Sequence, residues 1–115
     1  MGSEPFGSHH SEGLAADAGL PVVVSSALES SIGLAMGLHL AASLPKLDYA
    51  CGLGTAALLA ADVVEEPLIA VSGEIPVGRP IPSERLLNQY QAAEDVTEWW
   101  LERLADCYEY LDREK

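Results

Sequence analysis

The side chains able to do chemistry concentrate in two short stretches of this 115-residue chain, Ser25-Ser26-Ala27-Leu28-Glu29-Ser30-Ser31 and Cys51-Gly52-Leu53-Gly54-Thr55. The first offers hydroxyls and one carboxylate, which together can donate to and accept from an oxygen-rich ligand. The second offers glycines that admit close approach of a ligand to the backbone, followed by a hydroxyl at the start of an expected helix. That loop suits a small anion, but it lacks the longer phosphate-loop pattern with its Lys-Ser/Thr ending, and a tight strand-to-helix turn is the simpler account. The other reactive types are scattered. His9 and His10 are adjacent but have no Cys or His partner at a ligand spacing, so a solvated surface role is expected of them. His39 falls inside an apolar helical stretch and is assigned no chemistry. Cys51 and Cys107 are too far apart for a metal motif and are expected to be small buried hydrophobes.

The elements that must position the two stretches follow from the apolar pattern. Val22-Val23-Val24 is a β-branched run suited to a strand buried on both faces, and the Ser/Glu cluster lies at its carboxyl end, where parallel sheets present ligand-contacting groups. Ser30 or Ser31 is placed to cap a helix running to Leu44, where Pro45 stops it. In that helix Gly33, Gly37 and Ala41 recur every four residues, a ridge that lets it lie close to a sheet. Leu47-Asp48-Tyr49-Ala50-Cys51 reads as a second strand, Gly52 to Thr55 as a tight loop, and Ala56 to Ala61 as the start of a second helix. The order is therefore strand, helix, strand, helix.

This pattern resembles the last two strand-helix units of the (β/α)8 barrel in the enolase superfamily, and most closely the o-succinylbenzoate synthases. The resemblance is carried by Val24-Ser25-Ser26-Ala27-Leu28-Glu29-Ser30-Ser31-Ile32-Gly33-Leu34, by Tyr49-Ala50-Cys51-Gly52-Leu53-Gly54-Thr55 and by Leu59-Ala60-Ala61-Asp62-Val63. It runs from about Gly13 to the C-terminus, where Glu98-Trp99-Trp100-Leu101-Glu102-Arg103-Leu104 is similar to the ending of actinobacterial members. It implies an α/β fold: a C-terminal fragment of a TIM barrel with a helical tail. It also implies a metal-dependent dehydration in menaquinone biosynthesis, with Mg²⁺ holding a small carboxylate substrate while a lysine removes its α-proton.

The same resemblance implies that the catalytic parts lie elsewhere. Family enzymes carry a Lys-x-Lys pair, three acidic metal ligands and a further lysine on the second to sixth barrel strands, whereas this sequence has lysine only at Lys46 and Lys115. A TIM barrel also needs about 250 residues. The expectation is a C-terminal piece with no catalytic or metal-ligating residue, inactive and metal-free by itself. By position in the family motif, Ser25 would hydrogen-bond a substrate oxygen, Leu28 would line the path of the succinyl arm, and Gly52 would let the backbone approach the ligand. The residues alone leave a second reading open, in which Ser25 and Ser26 cap a turn. For Glu29 a structural bond to backbone amides is expected, because a carboxylate facing a carboxylate substrate would repel it.

Three segments are expected: residues 1–12 as a flexible lead, 13–66 as the seventh and eighth barrel units, and 67–115 as an extension of short strands and helices. In the extension, Leu68 to Val71 and Glu74 to Val77 flank Ser72-Gly73 as short strands, and Pro76, Pro80 and Pro82 oppose regular pairing. Ser83 can cap a helix to about Ala93, and Asp95-Val96-Thr97-Glu98 has the form of a capping box opening a last helix to about Leu111. Val96, Trp99 or Trp100, Leu104, Cys107 or Tyr108, and Leu111 make one apolar stripe on it, for which core contact is expected.

A formal charge of −12 excludes nucleic acid and anionic membranes as partners, since both require clustered Lys and Arg. Neither a secretory signal nor an apolar run of about 18 residues is recognisable, and a cytoplasmic setting is expected. The partner expected is a second copy or a complementary barrel fragment, because two barrel units leave sheet edges open. Two readings of function remain: the C-terminal portion of a synthase, or a non-enzymatic assembly or binding module derived from the barrel. Substrate scope stays open too, since the family's relatives include N-succinylamino acid racemases.

Overall fold

The computed structural model of the chain describes residues 8–114. Most of the lead expected to be flexible thus lies outside the described residues. Helix α1, Ser8–Asp17, carries His9 and His10 on its backbone. It ends as a glycine at this position requires: Gly19 sits at φ 69° and donates to Ala16 O, while Leu20 N reaches back to Ala15 O at 2.8 Å. This pair of bonds is the Schellman closure, which turns the chain toward Val22.

Helix α2, Ser31–Ser43, is the centre of the molecule. Its Leu34, Leu38 and Ala41 pack with Val24, Leu53 and Ala56 into the buried cluster, with Leu68 and Ile75 against it. The small-residue ridge acts as expected at Gly37, where an added Cβ would stand 2.9 Å from Leu53 Cδ2 and 3.9 Å from Val24 Cγ1. The absence of a side chain there is what lets α2 lie directly on both motif segments. The helix stops at Leu44, one residue before Pro45, which bars the α conformation for its predecessor.

The two expected strands are not formed as strands. Of the sheet there is one parallel bridge, Ser25 to Gly52, made by Gly52 N donating to Val24 O and Ser26 N donating to Gly52 O, each at 2.9 Å. The barrel-fragment expectation is thus not confirmed: among the described residues the two segments touch only at their carboxyl ends. Parallel pairs gain their stability from being buried on both faces within a wider sheet. Here Val23 and Tyr49 remain solvent-exposed, and the ladder does not extend. The helix expected from Ala56 is likewise a single 3-10 turn, Thr55–Leu58.

Beyond it, Val71 and Glu74 exchange both backbone hydrogen bonds across Ser72 (φ 53°) and Gly73 (φ 79°). Two positive φ angles in succession give the mirror-image turn that suits hairpin twist, so the expected strands shrink to one bridged pair. Helix α3, Glu84–Gln89, is capped by Ser83 as anticipated, Oγ accepting from Leu86 N at 3.4 Å, but it ends at Tyr90 rather than near Ala93.

Helix α4, Glu94–Arg113, corrects two expectations. Its N-cap is Ala93, so Asp95 falls inside the first turn and forms no capping box. Its apolar stripe does not enter a core: Trp99, Trp100 and Leu104 are 54%, 59% and 67% exposed, and Cys107 is exposed as well. The two indoles meet edge to face at 4.8 Å, with Arg103 lying 5.8 Å from the Trp99 ring, so the aromatic groups pack on each other.

The consequence is a large open surface. The chain exposes 9084 Å², where a compact monomer of its mass would expose about 6,100 Å². Its radius of gyration is 16.8 Å, against about 13 Å for a compact chain of this length.

Candidate functional site

Of the three residues expected to contact substrate, Ser25 and Gly52 meet at the parallel bridge, while Leu28 stands exposed on the loop that follows. Ser25 and Gly52 are brought together: an added Cβ at Gly52 would lie 2.7 Å from Ser25 Oγ, so glycine there leaves room for that hydroxyl. Ser25 is exposed, and its hydroxyl reaches Gly52 O only at 3.5 Å, too long to hold it firmly. Ser26 behaves oppositely. Its Oγ donates to Gly52 O at 3.0 Å and shares a hydrogen with Thr55 Oγ1 at 2.8 Å, tying the first motif to the start of the 3-10 turn. One serine is thus loosely held and its neighbour is firmly tied into the structure. With Thr55 engaged by Ser26 and followed by only a four-residue turn, the glycine loop serves as a turn.

From Ser26 the chain arches through Leu28, which is 61% exposed, and returns to α2 at Ser31. Glu29 lies with Cβ and Cγ against the backbone of Gly33, where an added Cβ would come within 2.9 Å of both. Its Oε2 is buried with no hydrogen-bond partner, contrary to the backbone bonding expected of it. His39 Nδ1 is in the same condition on α2.

The side chain that sequence reasoning passed over is Asp62. Ser30, expected as a cap, makes no side-chain cap bond. The free amide at the start of α2 goes instead to Asp62, whose Oδ1 and Oδ2 accept from Ser31 N at 3.2 and 3.1 Å. Ser31 Oγ donates to Asp62 Oδ2 at 2.7 Å and accepts from Leu68 N at 2.9 Å, while Val63 N donates to Asp62 Oδ1 at 2.7 Å. Both residues are buried, Ser31 completely and Asp62 to 9% exposure. A carboxylate surrounded by donors at a helix N-terminus is electrostatically well placed. The available signal was a lone acid inside the apolar run Leu58-Leu59-Ala60-Ala61-Asp62-Val63-Val64.

A second polar junction fastens α3. Ser83 Oγ donates to Glu65 Oε1 at 2.6 Å and Arg85 binds both Glu65 oxygens at 3.0 and 3.2 Å. The Ser83 hydrogen bond first, and Arg85 second, hold the Glu65 carboxyl below its ordinary range. Lys46 is raised by its hydrogen bond to Asp48, 2.6 Å away, and by that carboxylate's charge. Among the described residues no three His, Cys, Asp or Glu side chains converge as a metal site, and Asp62 has both oxygens engaged. These residues do not fit Mg²⁺.

No family model matches the chain. Individual proteins do match. The particular relatives are o-succinylbenzoate synthases. The chain is 46% identical over 100 residues to that of Mycobacterium marinum, covering 87% of this chain and 30% of that enzyme. It is 47% identical over 98 residues to that of Mycobacterium leprae and 46% over 98 to that of Mycobacterium tuberculosis, covering 85% of this chain in both cases. The resemblance carried by the two motifs is thereby shown. The chain spans about 30% of the length of the curated relatives it matches. Among the described residues, no helix is long and apolar enough to cross a membrane.

Proposed function

We propose that this chain acts as the C-terminal portion of an o-succinylbenzoate synthase, supplying the seventh and eighth barrel units and one wall of the substrate pocket. The intact enzyme would dehydrate 2-succinyl-6-hydroxy-2,4-cyclohexadiene-1-carboxylate to o-succinylbenzoate and water, in the cytoplasm, with Mg²⁺ and the lysines held by the upstream barrel. This chain alone would be inactive. The observation that carries the reading is the parallel Ser25 to Gly52 bridge, which joins the carboxyl ends of the two expected strand segments, the end at which barrels bind ligands. Ser25, with its loosely engaged hydroxyl, is the group offered to a substrate oxygen. Leu28 is the apolar contact for the succinyl arm, and Gly52 keeps the space between the two backbones open.

The required partner is a complementary barrel fragment. The surface in excess of a compact monomer's, about 3,000 Å², is of the size buried in obligate complexes. A second copy is disfavoured by charge, since each carries −12. The test is reconstitution: the chain is mixed with the Mycobacterium marinum synthase truncated of its matched portion, with Mg²⁺, and product is followed by mass spectrometry. Turnover by the pair and by neither part supports the proposal; a tight pair without turnover overturns it. A second reading, a non-enzymatic assembly module, is favoured by the exposed aromatic face of α4. It is the outcome if the chain forms a stable complex with itself and ignores the synthase fragment.

A further inference from the structure

We infer that Asp62 is a positioning residue that sets where Leu28 stands in the substrate pocket, an inference that rests on the functional reading above. The loop from Ser26 to Ser30 is held at two ends. Its near end is fixed by the bridge, through Gly52 N to Val24 O and Ser26 N to Gly52 O. Its far end has no cap of its own, since the Ser30 side chain makes none. What fixes it is Asp62, 31 positions away, through the amide and hydroxyl of Ser31. Leu28 lies on the arch between these anchors and is exposed. Its location is therefore set by the distance between the bridge and the Asp62 carboxylate.

In the bonding pattern the Asp62 carboxyl group only accepts. Three donor groups converge on Asp62: Ser31 N, Ser31 Oγ and Val63 N. The Ser31 hydroxyl cannot turn away without cost, because its hydrogen would lose its acceptor, Asp62 Oδ2, in a fully buried place. An asparagine of the same shape would turn an amide NH₂ toward one of these donors and set donor against donor in a buried place. The effect would be transmitted to the loop without any atom at the ligand being changed.

The test uses the reconstituted pair carrying Asp62→Asn, with Ser31→Ala as a milder break of the same anchor and Leu28→Ala as the group acted upon. KM should rise about tenfold in Asp62→Asn with kcat within about twofold, since a displaced wall weakens binding while the distant chemical groups stay in place. Amide exchange over residues 27–31 should quicken while the Ser26 and Gly52 amides, which form the bridge, keep their protection. In the Leu28→Ala background, Asp62→Asn should add little further to KM, a loss of additivity that general destabilisation does not produce. If Asp62→Asn fails to fold, Ser31→Ala must show a smaller KM rise in the same direction, and an unchanged KM there overturns the proposal. It is likewise overturned by a fall in kcat at constant KM, or by full additivity with Leu28→Ala. A wild-type pair without turnover sinks the functional reading and this role together, whereas wild-type turnover with unshifted KM in both anchor variants sinks this role alone.

Discussion

Replacing Gly37 with alanine should destabilise the chain, and the same replacement should become stabilising once Leu53 is shortened. Two effects compete at this position. Alanine is favoured over glycine within a helix by about 1 kcal/mol. Against that, the new Cβ would stand 2.9 Å from Leu53 Cδ2, closer than the 3.4–4 Å of ordinary contact, and Leu53 is only 4% exposed. Leu53 must shift within the cluster it shares with Val24, Leu34 and Leu38. Such overpacking costs about 1–3 kcal/mol, so the net loss should be about 0–2 kcal/mol. Leu53→Ala alone should cost about 2–4 kcal/mol through the cavity it leaves. In that background the Gly37→Ala methyl meets space, and its helix advantage of about 1 kcal/mol should emerge intact. The four proteins of the cycle would be unfolded with urea and followed by circular dichroism at 222 nm. A coupling of about 1–3 kcal/mol with a reversal of sign is expected. If Gly37→Ala has the same effect in both backgrounds, α2 does not lie on the glycine loop as described, and the core assignment fails.

The two adjacent serines should separate cleanly. Ser26→Ala should lower stability by about 1 kcal/mol in urea titrations, because its hydroxyl is bonded to Gly52 O and Thr55. Ser25→Ala should leave the midpoint unchanged and appear only in the kinetics of the reconstituted pair; a lowered midpoint would reassign Ser25 to structure. Glu65 predicts a pH dependence of known sign. Its folded value is depressed, so its contribution is complete above the ordinary Glu range of about 4.5 and is lost as pH falls through the lower folded value. Comparison of wild type with Glu65→Gln should show a small stability difference at pH 7 that vanishes in acid, and a difference that grows on acidification would contradict the Ser83 and Arg85 contacts. Finally, Trp99 and Trp100 should emit as solvated indoles in the isolated chain, open to acrylamide quenching. Binding of the complementary fragment should shift their emission to the blue; unchanged emission in a demonstrated complex would show that α4 lies outside the interface.

Local chemistry was legible in the sequence wherever neighbours in the chain decide the outcome. Pro45 stopped α2, Ser83 capped α3, and Ser72-Gly73 made the turn, each because a restricted backbone or a nearby hydroxyl acts over a few residues. The family motifs also named Ser25 and Gly52, which the fold brings into contact. Three features were not legible, and each depends on a partner distant in the chain. The valine run and Leu47 to Cys51 have strand composition, but a parallel strand exists only with a ladder on its flanks, and two segments supply a single bridge. The tryptophan stripe of α4 has the spacing of a core face, yet spacing states which side is apolar and leaves open what covers it; among the described residues nothing does. Asp62 reads as one more acid among eighteen acidic residues. Only the approach of two segments 31 positions apart makes it the cap of α2, because a buried carboxylate is stable where donors converge on it, and that convergence is a property of three dimensions.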